Sequence, residues 1–198
     1  MELPKTIALF DFDGTITKKD TYIEFIKHCF GSTRTYLGFL LLSPVLVLFK
    51  LKLIRNDVAK QITFSYFFKG MSEDYYLQKC KSFTAVINQI LKPEAMHKIA
   101  HHKSEGHQLI IVSASMEDWI LPWAKENDFD EVLSTKIEIQ NNQLTGKFAT
   151  ENCHGEQKVI RVKQHIPDFS NKYFYAYGDS SGDTPLLEFS DEAFYRKF

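Results

Sequence analysis

The sequence is short of cysteine, of net charge and of any long apolar run, and each shortage excludes something. Cys29, Cys80 and Cys153 are its only three cysteines, far apart and odd in number. They match no metal-ligand spacing and no disulfide framework, so free thiols in a reducing cytoplasm are expected. The formal net charge is -1, so no overall basic field draws nucleic acid. There is no internal repeat and no low-complexity tract. No secretory signal is read ahead of the first strand, because Met1-Glu2-Leu3-Pro4-Lys5 runs almost straight into it. A membrane-spanning helix needs about 20 apolar residues. The nearest approach is fifteen uncharged residues between Arg34 and Lys50, interrupted by Pro44.

What is present is an ordinary globular composition, 44% hydrophobic and 25% charged over 198 residues. That length allows one core domain and a substantial insertion. Seventeen phenylalanines imply a generous core and an apolar contact surface.

Ile7-Ala8-Leu9-Phe10 is a strand-length apolar run that ends in Asp11-Phe12-Asp13-Gly14-Thr15. Residues two apart on a strand point the same way. Asp11 and Asp13 are therefore expected to face one crevice at the C-terminal end of a buried strand, where open α/β sheets bind ligands. Gly14 lets the chain turn with its backbone close to a ligand. Thr17 or Asp20 can cap a helix that Gly31 ends. Two amphipathic helices follow over 55–70 and 72–91, with Asn56 and Ser72 as caps and Gly70 as a stop. Residues 17–90 thus read as wholly helical.

After Pro93 a helix runs to Glu105, and 108–112 is a buried strand ending in Ser113-Ala114-Ser115. Trp119, Ile120 and Trp123 mark a helix packed in the core, for which Ser115 is a candidate cap. Residues 132–139 read as extended, and Asn141-Asn142 as a turn into a return strand. Gly155 opens a helix to His165. A strand over 173–177 precedes Gly178-Asp179, a short helix spans 185–189, and a last strand spans 193–195. Strands separated by helices imply an α/β fold with a parallel sheet and right-handed crossovers. The core is 1–16 with 91–198, and the helical insertion 17–90 sits over the sheet edge that carries Asp11 and Asp13.

The same pattern recurs at three later points. Ser113 follows a strand. Asp179 and Asp183 follow another, in Gly178-Asp179-Ser180-Ser181-Gly182-Asp183. Lys158 lies in the first turns of a helix. One crevice could hold four carboxylates, a hydroxyl and an ammonium. Carboxylates without clustered His or Cys select a hard cation, most simply Mg²⁺. Ser113 and Lys158 would hold a phosphate, by a hydroxyl donor and a point charge. A carboxylate then attacks phosphorus and a second acid protonates the leaving oxygen.

These residues resemble the four motifs of the haloacid dehalogenase-like hydrolase superfamily, in order, from 7 to 183. The helical insertion resembles the cap of its phosphoserine-phosphatase-like branch. The resemblance implies a Mg²⁺-dependent phosphatase acting on a phosphomonoester. It implies Asp11 as the nucleophile that carries an aspartyl-phosphate and Asp13 as general acid and base, with the Asp13 carbonyl on the metal. It implies Asp11 and Asp179 as metal ligands, Ser113 and Lys158 on the phosphate, and Gly14, Thr15 and Asp183 in support. Asp20 sits where that branch carries a substrate-binding Glu, and it is equally a helix cap. Gly182 stands where phosphoserine phosphatases carry Asn, and no Arg matches their carboxylate-binding one. The apolar cap and residues 152–158 resemble the subgroup that includes bacterial phosphatidylglycerophosphate phosphatases. The substrate is therefore a small-molecule phosphomonoester or a lipid phosphate.

Other readings stay open at this point: a phospho-accepting signalling module, or an interaction protein with a vestigial pocket. Receiver modules lack a helical insertion after the first strand, and a complete acid set argues against a vestigial site. His101, His102 and His154 are expected at the surface. The stretch 37–49 is expected to be a buried helical hairpin first, then an interfacial segment, then a true span. A cytoplasmic protein is implied, with peripheral membrane contact through 37–49 as the alternative.

Overall fold

Alternate residues of the first strand serve two different cores. A computed structural model describes residues 5–198; residues 1–4, at the head of the expected core segment and of the leader reading, lie outside the described residues. In β1 (Lys5–Phe10) Ile7 and Leu9 pack with Ile110, Val112, Phe174, Ala176, Val162 and Leu186. Ala8 and Phe10 point the other way, to Leu109, Ile111, Tyr177 and the cap aromatics. A strand covered on both faces reads as a continuous apolar run.

The cap comes next in the chain. It comprises α1 (Thr21–Leu41), α2 (Ser43–Lys50), α3 (Asn56–Phe68) and α4 (Glu73–Gln89). The core resumes with α5 (Pro93–Ser104), β2 (Gln108–Met116), α6 (Glu117–Glu126) and β3 (Glu131–Thr135). A hairpin, β4 (Ile137–Gln140) and β5 (Gln143–Phe148), precedes α7 (Glu156–His165), β6 (Lys172–Gly178), α8 (Thr184–Phe189) and β7 (Glu192–Tyr195). The sheet order is β3-β2-β1-β6-β7 and every pair is parallel. The chain works outward from β1 to β3 and then returns to the other side of β1. That reversal opens a crevice at the C-terminal strand ends. Phe10 lies opposite Ile111 and Tyr177, so the residues beyond β1, β2 and β6 come out level. This is the expected α/β architecture, a Rossmann-like sheet with a helical cap inserted after its first strand.

Several local expectations change. Gly31 does not end α1 but kinks it, with φ 75 and ψ 160, and the helix resumes. Arg55 occupies the cap position of α3, and Asn56 is its first helical residue. Ser115 caps nothing, because β2 runs on to Met116, which precedes α6. The extended piece 132–139 splits between β3 in the sheet and β4 in the hairpin. Asn141 and Asn142 take φ 51 and 58 at its tip, the left-handed pair of a two-residue turn. The hairpin docks on the cap: Gly70 N–H donates to Leu144 O (2.8 Å) and Leu144 N–H to Met71 O (2.9 Å). His102 is buried, not exposed. It contacts the Tyr177 hydroxyl (2.9 Å) and His107 (2.7 Å).

The stretch 37–49 is not a buried hairpin. The end of α1 and α2 form an elbow bent by 62°. Leu37, Leu40 and Leu41 are 56%, 68% and 69% exposed. Gly38 meets the rings of Phe67 and Tyr66 so closely that no Cβ would fit. The elbow therefore rests on α3 by that narrow edge and leaves a leucine stripe outside. Among the described residues no single helix is long and apolar enough to cross a membrane.

Cap and core share one aromatic nucleus. The Phe25 ring of α1 lies 4.5 Å from Trp119 of α6, 5.1 Å from Phe83 and 5.7 Å from Phe68 and Tyr76, centroid to centroid. Phe25→Ala should therefore cost about 3–5 kcal/mol, the usual range for a fully buried phenylalanine. Urea denaturation followed by tryptophan fluorescence checks this, and a loss below about 1 kcal/mol would mean that the nucleus is not shared.

Candidate active site

The centre of the crevice is a lysine with two carboxylates. Gly155 (φ 62) starts α7, and the first turn carries Lys158 inward, where it is 2% exposed. Its Nζ donates to Asp11 Oδ1 and to Asp183 Oδ1, both at 2.5 Å. Burial works against the ammonium, but Asp11 and Asp183 outweigh it and hold its pKa above the usual lysine range. Asp11 follows β1, and its N–H continues the ladder to Tyr177 O (2.9 Å). Thr15 Oγ1 donates to Asp11 Oδ2 at 3.3 Å. Burial pushes the Asp11 carboxyl up to about 7, with Lys158 pulling it down. Both oxygens of Asp183 are engaged. Its Oδ2 accepts from Ser180 N (3.0 Å), Ser180 Oγ (2.8 Å) and Asp179 N (3.2 Å). Burial raises its pKa, but Lys158 and those hydrogen bonds prevail and hold it below the usual range.

Asp13 faces the same cavity as Asp11. β1 stops at Phe10, both residues lie just beyond its end, and the chain turns at Gly14 (φ 79) directly after Asp13. Asp13 Oδ1 accepts from Thr21 N (2.6 Å), and Oδ2 from Ser115 Oγ (2.5 Å). Thr21 Oγ1 donates to Ser115 Oγ and accepts from Trp119 Nε1, each at 3.3 Å. Burial, then nearby Asp20, raises the Asp13 pKa, and these hydrogen bonds oppose the rise. Ser113 Oγ accepts from Ser115 N (3.1 Å), and Ser113 also lines the cavity.

Asp11, Asp179 and Asp183 each offer a carboxylate oxygen, all within 4.8 Å of one another. Burial and then Asp183 raise the Asp179 pKa, with Lys92, Lys158 and Arg196 opposing the rise. An all-oxygen donor set fits a hard divalent cation. Gly14 makes room for the Asp179 carboxylate, which a Cβ there would run into. Two cations support this loop from behind. Lys92 Nζ donates to the Gly14 carbonyl, and Arg196 Nε donates to the Asp179 carbonyl (2.9 Å).

The cavity, about 590 Å³, lies between the cap and the sheet edge. Asp20 lines it and also caps α1, accepting from Tyr22 N (2.8 Å) and Ile23 N (3.3 Å). Gly182 has a local reason: a Cβ there would enter the His154 ring. Lys60 of α3, Ser115 and Thr21 belong to the site and were not expected there. Ser115 was within reach of sequence reasoning, being two residues beyond Ser113 on one strand. Lys60 was not, because nothing in a helical pattern tells which lysine faces a distant crevice.

A parallel sheet capped by helices after its first strand, with buried carboxylates and a lysine at its C-terminal edge, defines a capped Rossmann-like hydrolase. Residues 8–188 match the haloacid dehalogenase-like hydrolase family, and the chain belongs to it. Protein CicA of Caulobacter vibrioides is 31% identical over 195 residues, spanning 97% of this chain and 86% of that protein. A probable phosphatase of Mycobacterium tuberculosis is 27% identical over 191 residues, spanning 93% of this chain and 66% of the other. A Bordetella pertussis Tohama I protein of unknown function superposes with TM-score 0.80 at 21% identity, over 93% of this chain and 86% of that one. Substrate-bound phosphoserine phosphatase superposes with TM-score 0.66 at 16% identity, over 98% and 87%. The fold, cap included, is that of the phosphoserine-phosphatase-like branch.

Raised carboxyl pKa values set a sign for stability. The folded chain keeps protons on Asp11, Asp13 and Asp179 after the unfolded chain has released them. Between the unfolded value, 3.8, and about 7 for Asp11, stability therefore falls as pH rises. Asp183 acts oppositely, and its contribution is lost as pH falls below the usual carboxylate range. Urea midpoints of metal-free protein should drop between pH 5 and pH 7, and Asp11→Asn should make that drop smaller. An unchanged drop in the variant would refute the assignment to Asp11.

Proposed function

We propose that the protein is a Mg²⁺-dependent phosphomonoesterase that carries the phosphoryl group on Asp11. The observation that carries this reading is Asp11 itself, a buried carboxylate held by Lys158 at 2.5 Å and open to the capped cavity. An Asp11 oxygen attacks phosphorus and the P–O bond to the alcohol breaks. Asp13, its pKa raised, gives its proton to the departing oxygen. As carboxylate, Asp13 then takes a proton from water. That water attacks phosphorus, the Asp11–phosphorus bond breaks, and inorganic phosphate leaves. Ser113 and Lys158 hold the non-bridging oxygens, and Lys158 favours the ionised form of Asp11 against the effect of its burial. The Asp11 and Asp179 carboxylates and the Asp13 carbonyl would hold Mg²⁺, which when bound would supply charge neutralisation at the phosphate. Thr15 and Asp183 orient Asp11 and Lys158. The helical cap and Asp13 separate this reading from that of a signalling receiver.

The substrate is a small-molecule phosphomonoester. One observation favours a second reading, a lipid phosphate such as phosphatidylglycerophosphate taken at a membrane surface. Phe39, Leu46 and Phe49 of the elbow line the cavity, while Leu37, Leu40 and Leu41 stand in solvent between Arg34 and the pair Lys50 and Lys52.

With p-nitrophenyl phosphate and Mg²⁺, chelation should abolish turnover, and Asp11→Asn should lower it at least ~1,000-fold with the fold intact. Asp13→Asn should lose about 10²–10⁴-fold with alkyl phosphates and much less with nitrophenyl phosphate, because it removes proton donation. Equal losses for both leaving groups would refute that role. For the second reading, the protein should float with anionic vesicles, and the Leu37→Ser, Leu40→Ser, Leu41→Ser triple variant should not. Absence of flotation by the parent leaves the small-molecule reading.

A further inference from the structure

Besides Lys158, the cavity is lined by Lys18, Lys19 and Lys60, none of them used by the proposed hydrolysis; Lys18 and Lys19 are exposed, and Lys60 is the half-buried one. Lys60 projects from the cap, and it lines the same cavity as Asp11, Asp13 and Ser113. Its Nζ donates to the Ala114 carbonyl at 2.7 Å and lies 5.2 Å from the centre of the Tyr22 ring. The Tyr22 hydroxyl fixes the helix by donating to the Lys60 carbonyl at 3.0 Å. Among the described residues no carboxylate forms an ion pair with it. Burial lowers its pKa, with Asp13 and Asp20 opposing. An ammonium has three donors, and this one has a single acceptor. A neutral donor would serve as a latch to Ala114 without the cost of desolvating a charge.

Lys60 does not stand alone. Asn56, one turn earlier on α3, and Thr63, one turn later, line the cavity with it. Residues at this spacing share a helix face. The core side of the cavity already supplies Ser113 and Lys158 for the phosphate that reacts. The charge on the cap side therefore meets the organic part of an ester whose phosphorus sits at Asp11.

The geometry points to an anion subsite on the cap, in which Lys60, flanked by Asn56 and Thr63, receives a second anionic group carried by the leaving alcohol. The substrate class is then a phosphomonoester with a carboxylate, phosphate or phosphodiester near the ester oxygen. This rests on the phosphomonoesterase reading and narrows it. One charge chemistry has two sources, a small acid or a lipid headgroup, and the test separates them.

Binding is measured by calorimetry with Mg²⁺ in the Asp11→Asn background, where turnover does not interfere. One pair of probes is phosphoglycolate and 2-hydroxyethyl phosphate, which has a hydroxyl in place of the carboxylate. The other is a dioctanoyl lipid bearing a phosphodiester and a terminal phosphomonoester, and dioctanoyl phosphatidic acid, which lacks the diester. The doubly anionic member of at least one pair should bind about tenfold tighter, the effect of one charge-assisted hydrogen bond. Adding Lys60→Met should reduce that preference below about twofold, and Lys60→Arg should retain it. A preference confined to the lipid pair assigns the subsite to a headgroup; one seen in the small pair assigns it to a small acid. No preference in either pair, or a preference that survives Lys60→Met in a variant with an unchanged melting temperature, overturns the subsite. Failure of the phosphatase reading registers separately, as absent turnover by the protein with Asp11 intact.

Discussion

The ammonium of Lys158, held between Asp11 and Asp183 out of contact with water, is the interaction on which the rest of the structure depends. Three charges buried together survive only if each is paired and the remaining lone pairs are occupied. The chain meets that condition with groups far apart in sequence. The β1–β2 and β1–β6 registers bring the strand ends level. Gly155 starts α7 so that Lys158 points inward, and Ser180 occupies the far oxygen of Asp183. One positive charge does not balance this group. Asp179 and Asp13 add carboxyls with raised pKa values. The proposed divalent cation would relieve that crowding, and Gly14 leaves the space that the Asp179 carboxylate occupies.

The cap is tied to this centre by chemistry as well as by packing. The Phe25–Trp119 contact fixes α1 on α6. The same Trp119 starts the hydrogen-bond series through Thr21 and Ser115 to Asp13. Displacing the cap would thus unpack an aromatic nucleus and disturb the group read here as the acid. The hairpin of β4 and β5 holds the cap's other side through backbone hydrogen bonds. What remains uncovered is the elbow, the thinnest part of the lid, with one wall in the cavity and the other in solvent.

Much of this was legible in the sequence because it is written at strand and helix ends. Asp11, Ser113, Asp179 and Lys158 each follow a clear change of periodicity, and a parallel sheet gathers such ends along one edge. Where reasoning stayed local it failed. The elbow's leucines looked buried because composition does not say which face finds a partner; Gly38 allows contact along one edge only. His102 looked like a surface residue until the Tyr177 hydroxyl gave it a partner. Asp20 is the cap expected of it, and it also lines the cavity. Lys60 and Thr21 were invisible, since their roles depend on how an inserted helical domain is set over the sheet, and no periodicity encodes that.

The central claim is that the phosphoryl group rests on Asp11. Its most direct test is acid quenching of the protein during turnover of a phosphomonoester with Mg²⁺, followed by proteolysis and mass spectrometry. The account predicts an acid-stable, hydroxylamine-labile phosphoryl group on the peptide carrying Asp11, located on that residue and absent from Asp11→Asn. A phosphoryl group on Asp13, Ser113 or any other side chain would contradict it.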